Sequence, residues 1–382
     1  MDIREILTPA ADFLALGEPT HLEPAFARIR NDLFAQLADL GFAAIALETD
    51  RVAALTVNDY VQHGAGSLDA VMRDGFSHRF GELDNNRRLV AWMREYNENR
   101  PAAQRLAFHG FDVSTEMMNA PSPRPYLEHA RDYLGLDHDI AGLTGDDERW
   151  HRTEAVMNAA ESPGATPEAD RLRVIADDML VILYASAPLL IAATSRAEWH
   201  RARIHLTAGL GLLRYHRQAA EPVDDTARWT RLSAFRDAMM AQNLLDIRDI
   251  ERGPVLVFAQ NRHLQRNESH LRLGPMDVNW SSAGAIVSSL AGERYRLIVG
   301  SLGRSRAIEL GEPAPETFEG LLQRRIGTWG LVPARDLAHA QTRTDTDPMQ
   351  GYFPLDQETL DGADAVLHVS AGTDTQALTL RR

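Results

Sequence analysis

FLALGEPTHLEPAFARIRNDLFAQLADLGFAAIALETD, residues 13–50, holds a strand, a helix and a second strand in direct succession. FLAL (13–16) is a short apolar run that stops at Gly17, as a strand covered on both faces does. Over 24–40, Phe26, Ile29, Leu33, Leu37 and Leu40 recur at helical spacing with arginines and acids between them. Gly41 ends that helix, and FAAIAL (42–47) follows as another wholly apolar strand. Strands buried on both faces and joined by an amphipathic helix belong to a parallel sheet.

The alternation continues downstream. A helix is predicted over 86–97 and a strand over 105–109, ending at Gly110. After a proline cluster (Pro121, Pro123, Pro125) the strand signal lapses. Amphipathic runs near 126–136, 168–193, 197–216 and 225–250 predict a subdomain of four or more helices. Strands resume at 254–259, 295–299 and 363–368, with a short helix over 283–290. Residues 310–353 are rich in turns and charges and show no clear period. The expected class is α/β, with a mainly parallel central sheet flanked by helices. Residues 1–120 and 251–382 form its two parts, and 121–250 an inserted helical subdomain.

Composition removes several chemistries. The chain has no cysteine, so disulfides, thiolate metal sites and a cysteine nucleophile are excluded. All 40 basic residues are arginine, which excludes a Schiff-base lysine and a P-loop lysine. The net charge of −14 repels a duplex nucleic acid or an anionic membrane, and favours a small-molecule partner. No apolar run reaches the roughly 18 to 20 residues of a membrane span, and residues 1–9 carry no signal pattern. A cytoplasmic location is therefore expected, and the oligomeric state is open. Neither a G-x-S-x-G elbow, an H-E-x-x-H helix nor a dinucleotide fingerprint occurs.

Chemistry gathers instead at strand ends. FLAL runs into Gly17-Glu18-Pro19-Thr20-His21, FAAIAL into Glu48-Thr49-Asp50, the third strand into His109-Gly110-Phe111-Asp112, and VLVFA (255–259) into Gln260-Asn261-Arg262-His263. In open α/β sheets ligands bind outside the carboxyl ends of the strands. His21 is the candidate base, with Glu18 or Glu48 to orient its ring. Arg30, in the following helix, is placed to pair a carboxylate or meet negative charge on a substrate oxygen. Each has a plain structural reading as well: Glu18 as a helix cap, Glu48 as a solvated strand end, Arg30 as a surface side chain, His109 and Asp112 as turn hydrogen-bonders. His63, His78, His200 and His270 are read as structural. The side chains of Glu18, His21, Glu48 and His263 are also of metal-ligating types. No paired spacing on one element builds a cage, so no metal or cofactor is expected.

These motifs resemble the erythromycin esterase family, which also takes in succinoglycan biosynthesis homologues. Gly17-Glu18-Pro19-Thr20-His21 is similar to its G-E-x-[TS]-H, and Phe26 with Arg30 to the F-x-x-x-R that follows. Ala46-Leu47-Glu48, ELDNNRRLVAWMREYN (82–97), FHGFD (108–112), RDAMMAQN (236–243) and Asn261-Arg262-His263 come in the family's order, and 284–300 is loosely similar to its G-x-x-L…Y-x-x-I-G segment. The likeness spans roughly 10–303. It implies an α/β core with a helical part and a cleft between them. It also implies an ester hydrolase in which His21 activates water without a covalent intermediate, assisted by Glu18, Glu48, Arg30 and His263. Gln260, Asn261, His109, Asp112 and Asn243 are the accompanying candidates for substrate binding. Gln260 stands where the family's H-N-x-H has its first histidine. A carboxamide can donate to an oxyanion but cannot shuttle a proton, so family likeness does not imply action on macrolides.

The expected function is metal-independent hydrolysis of an ester or lactone in a bulky small molecule, in antibiotic resistance or natural-product biosynthesis. The alternative is a non-hydrolytic tailoring enzyme (elimination, cyclisation or acyl transfer) using the same His/Glu site. A binding protein on a degenerate scaffold is a third reading.

Overall fold

The computed structural model describes residues 1–373 apart from Pro9, Met117, Ala338, Pro348 and Met349. The last nine residues of the segment assigned to the core, 374–382, lie outside the described residues. The chain opens with β1 (Phe13–Glu18), α1 (Pro24–Asp39), β2 (Ala44–Asp50), α2 (Ala53–His63), α3 (Leu68–Asp74), α4 (Asp84–Glu98) and β3 (Ala107–Asp112). Helices alone follow: α5 (Arg124–Leu134), α6 (Ile140–Thr144), α7 (Glu148–His151), α8 (Thr153–Met157), α9 (Pro167–Ala185), α10 (Ala187–Ala193), α11 (Arg196–Ala219) and α12 (Asp225–Ile250). Next come β4 (Val255–Gln260), α13 (Asn261–Leu264), the hairpin β5 (Glu268–Leu273) and β6 (Met276–Ser281), and α14 (Ala283–Ala291). The described chain closes with β7 (Tyr295–Arg304), α15 (Phe318–Gln323), β8 (Trp329–Pro333), α16 (Gln357–Asp361) and β9 (Ala365–Ala371).

The central sheet has the order β3-β2-β4-β1-β7-β9-β8, and only β8 runs antiparallel to its neighbour. Alternate residues of its strands feed two cores. Leu14 and Leu16 of β1 pack with Phe26, Ile29, Leu33 and Phe34 of α1 on one face. Phe13 and Ala15 pack with Met240 and Leu244 of α12 and Val287 of α14 on the other. That two-sided burial is why these strands read as unbroken apolar runs. Fully burying one such Leu or Phe contributes about 1.5–3 kcal/mol. α1 starts sharply because Pro24 fits its first turn and the Glu23 carboxylate caps the Ala25 N–H (3.0 Å). The helices between β3 and β4 hold a third core around Leu127, Trp150, Met179, Trp199 and Leu206.

Pairing lapses where β1 and β2 reach their carboxyl ends. β1 stays in register with β4 through Glu18 and Gln260 but parts from β7 after Leu16. β2 leaves β4 after Leu47 and bulges against β3 between Leu47 and Asp50. Beyond Leu16 and Leu47, therefore, the sheet opens and the polar residues that follow have room to converge.

Two expectations need correction. β3 does not end at Gly110 but continues to Asp112, so His109 lies inside a strand. The stretch 310–353 contains α15 and the antiparallel edge strand β8. The hairpin β5–β6 was also illegible, since its outward positions are polar and the pair lies apart from the main sheet.

Candidate active site

Three strands and one long helix deliver the polar cluster. His21 Nδ1 donates to Glu18 Oε1 at 2.8 Å, and its Nε2 faces Glu48 Oε1 at 3.6 Å. The ring rests against Phe80, with centroids 5.1 Å apart. Glu48 Oε2 accepts the Gln260 main-chain N–H (2.9 Å), which fixes the carboxylate across the β2–β4 gap. Its Oε1 is 3.4 Å from His263 Nε2 and 3.5 Å from Arg236 Nη2. Glu18 and Glu48 are both buried, whereas a quarter of the His21 side chain is accessible.

Burial alone would depress His21, but the Glu48 charge and the Glu18 hydrogen bond outweigh it and raise its pKa to about 10. The resting ring is therefore an imidazolium at neutral pH. Burial would lift Glu48 too, yet the charges of His263, His21 and Arg236 hold it well below the usual carboxylate range. Burial raises Glu18 despite its bond to His21.

His21, Glu18, Glu48 and Arg30 line one cavity of about 490 Å³, with Phe80, Leu83 and Phe258 among its apolar walls. Arg30 is almost fully buried. Its Nε and Nη2 are held by Asn31 and its Nη2 by Asn86 (2.9 Å), while Nη1 takes part in none of these bonds. Its guanidinium also lies over the Phe258 ring, 4.7 Å from the centroid. Burial lowers its pKa to about 10, against the pull of Glu18, so it remains a cation.

The other candidates divide. His263 faces Glu48 as described, and its Nδ1 donates to Asp237 (3.0 Å). Gln260 reaches Glu48 through its backbone. Asp112 is fully buried beside the cluster and accepts from Arg236 Nε (3.0 Å). Asn243 donates to the Phe111 carbonyl (3.0 Å); with Asp112 it lines a second cavity of about 280 Å³ between the sheet and α9, α11 and α12. His109 is not brought to the site. Because β3 continues past it, its ring points to Glu251, just beyond the end of α12, and bonds it at 2.7 Å. Asn261 is a clasp: its amide accepts from Gly300 N–H and donates to Gly300 C=O, both at 2.9 Å. The same amide lies so close to Gly17 that a Cβ there would meet its Oδ1 at 2.1 Å. Gly17 is thus required by close approach.

Three important residues went unassigned from sequence. Arg236 joins Asp112 to Glu48, and Asp237 next to it orients His263. Their signal was present as the Arg-Asp pair in RDAMMAQN, though no role could be read from it. His78, taken as structural, donates from Nε2 to Asp112 (2.9 Å) and from Nδ1 to Glu116 (2.8 Å). An imidazole that gives both protons is charged; the two carboxylates outweigh burial and raise it to about 9. It sits at φ 55°, an uncommon backbone for a side-chain-bearing residue that this pair of bonds offsets.

Asp237 is the member whose loss should cost most stability. Its carboxylate accepts from His263 Nδ1, Trp280 Nε1 (3.0 Å) and the Ala283 N–H (2.8 Å), all buried. Asp237→Ala strands all three donors and is expected to lower unfolding free energy by about 3–5 kcal/mol. A chemical-denaturation midpoint within error of the parent protein would refute this.

The erythromycin esterase family model matches residues 37–376. The chain belongs to the erythromycin esterase family. The match contains Glu48, Asp112, Arg236 and His263 and begins after His21 and Arg30, whose assignment rests on the strand-end motif and the geometry. A crystal structure of a Bacillus cereus protein superposes with TM-score 0.70 at 16% identity, covering 99% of this chain and 92% of that one. A histidine-to-asparagine mutant of the erythromycin esterase EreC, in its open conformation, gives 0.68 at 19%, covering 100% and 97%. A succinoglycan biosynthesis protein gives 0.67 at 16%, covering 97% and 89%. These structures share the fold of this family member. No curated protein matches the chain.

Proposed function

We propose that this protein is a metal-independent hydrolase of an ester or lactone in a bulky small molecule, with His21 activating water. The observation that carries the reading is an imidazole gripped at Nδ1 by Glu18, with Nε2 turned toward Glu48 at the foot of a cavity of about 490 Å³. A ring held at one nitrogen has a fixed tautomer, so the other can take a proton in a defined direction. Neutral His21 removes a proton from water as the oxygen adds to the carbonyl carbon. Arg30, cationic and lining the same cavity, meets the oxyanion. Collapse breaks the C–O bond, and the imidazolium returns its proton to the leaving alkoxide.

Among the described residues no group of three His, Asp or Glu side chains could hold a metal ion. The His21 and His263 ring nitrogens are instead occupied by carboxylates. Turnover of 4-nitrophenyl butyrate is therefore expected to survive dialysis against EDTA. Loss of activity restored by a divalent ion would count against the proposal.

Gln260 in place of a histidine favours a second reading, in which the same base serves an elimination, cyclisation or acyl transfer. The cavity's exposed rim residues, Arg28, Asp84 and Arg88, leave it open to water and favour hydrolysis. Reaction in oxygen-18 water separates the two: hydrolysis places the label in the product acid, and tailoring chemistry does not.

A further inference from the structure

We infer that the rim of the His21 cavity selects esters bearing an oxyanion (carboxylate, phosphate or sulfate) away from the scissile bond, through Arg28 and Arg88. This rests on the esterase reading of the same cavity.

α1 and α4 are clamped side by side at this rim. Asn85 Nδ2 donates to the Pro24 carbonyl (2.9 Å), and Asn31 Nδ2 donates to the Asn85 carbonyl (2.8 Å). Arg28 lies one turn after Pro24, and Arg88 one turn after Asn85, so both rise on the same edge. Both line the cavity and both are exposed.

Neither forms an ion pair among the described residues. The neighbouring Arg87, on the same helix, is paired with Asp69. The acids facing the cavity are nearly all spoken for. Glu18 and Glu48 hold His21, and buried Glu23 accepts from Ala25, Ser305 and Thr373. Among the described residues Asp84 is the one carboxylate lining the cavity with neither an ion pair nor a hydrogen bond, so this rim sets Arg28 and Arg88 against a single acid. Guanidinium groups bind oxyanions in a fixed fork geometry, and low-dielectric walls such as Leu22, Phe80 and Leu83 strengthen the attraction. The apolar walls take the body of the substrate. A substrate carrying an ammonium group is disfavoured at this edge.

The test uses the full chain and a matched pair: the 4-nitrophenyl ester of glutaric acid, with its free carboxylate, and the methyl ester of that compound. The wild type is expected to turn over the carboxylate form with the higher kcat/KM. The double variant Arg28→Gln/Arg88→Gln should reduce that ratio by about tenfold, and Arg88→Glu should reduce it as well. The preference should also fade as ionic strength rises. A ratio that the variants leave unmoved, or a wild type that prefers the neutral ester, overturns the inference. If neither ester is cleaved, the esterase reading fails by itself. Calorimetry with the non-hydrolysable glutaric acid monoanilide and its methyl ester then reads the anion preference without turnover. Tighter binding of the carboxylate that disappears in the double variant supports the inference, and equal binding overturns it.

Discussion

Replacing His21 by alanine is expected to lower ester turnover by on the order of a thousandfold or more, with the fold retained. The size follows from what the proposed mechanism asks of the ring in both halves of the reaction, first taking a proton from water and then supplying one to the leaving group. The fold should survive because His21 is partly accessible and belongs to neither main core. Glu18, left without its partner, can take up a proton: burial already raises its pKa, and losing the imidazolium raises it further. No bare buried charge remains. His263→Gln is the informative comparison. His263 has Nδ1 committed to Asp237 and does not line the His21 cavity, so it can position Glu48 but is poorly placed to reach water there. Its replacement should cost much less turnover than His21→Ala. A His21→Ala protein with near-normal kcat, native circular dichroism and an unchanged melting temperature would dispose of the proposed base.

How much of this could be read in the sequence varied with the physics involved. β1, α1, β2 and β4 were plain because burial on both faces leaves no polar residue in a strand, and α1 shows its one apolar stripe. Glu18, His21, Glu48 and His263 were picked out by the same logic, as polar residues following apolar runs, and the structure brings their side chains together. His109 was misplaced by that logic. The glycine after it, read as a stop, is an interior strand residue packed against the Thr49 and Asp50 carbonyls. Asp237 and Trp280 were beyond reach because their partnership joins a long helix to a hairpin 43 residues on, and nothing local marks either as paired. His78 was lost for a related reason: its two carboxylate partners lie 34 and 38 residues away. Strand ends announce themselves locally; the groups that hold a site together from other elements do not.

Glu48→Gln should move the pH profile as well as its height. With His21 raised to about 10, its neutral, proton-accepting form gains ground only as pH climbs. The kcat/KM of the parent enzyme is therefore expected to rise through the alkaline range and level off near that value. Burial opposes the charged ring, and Glu48 is the foremost charge that overcomes it. Removing that charge while keeping an oxygen for the Gln260 N–H should shift the limb by about one to two units toward acid. The plateau should fall, because the imidazolium formed during proton transfer loses its nearest facing carboxylate at Nε2. Stability must be followed alongside. A histidine raised in the folded state stabilises it fully below its ordinary 6.5, and that contribution is lost as pH rises through about 10. The parent protein thus gives up this support over the same range in which the proposed base becomes competent, and Glu48→Gln should narrow that range. If the limb stays in place while circular dichroism shows both proteins folded, the group that titrates is not the imidazole facing Glu48.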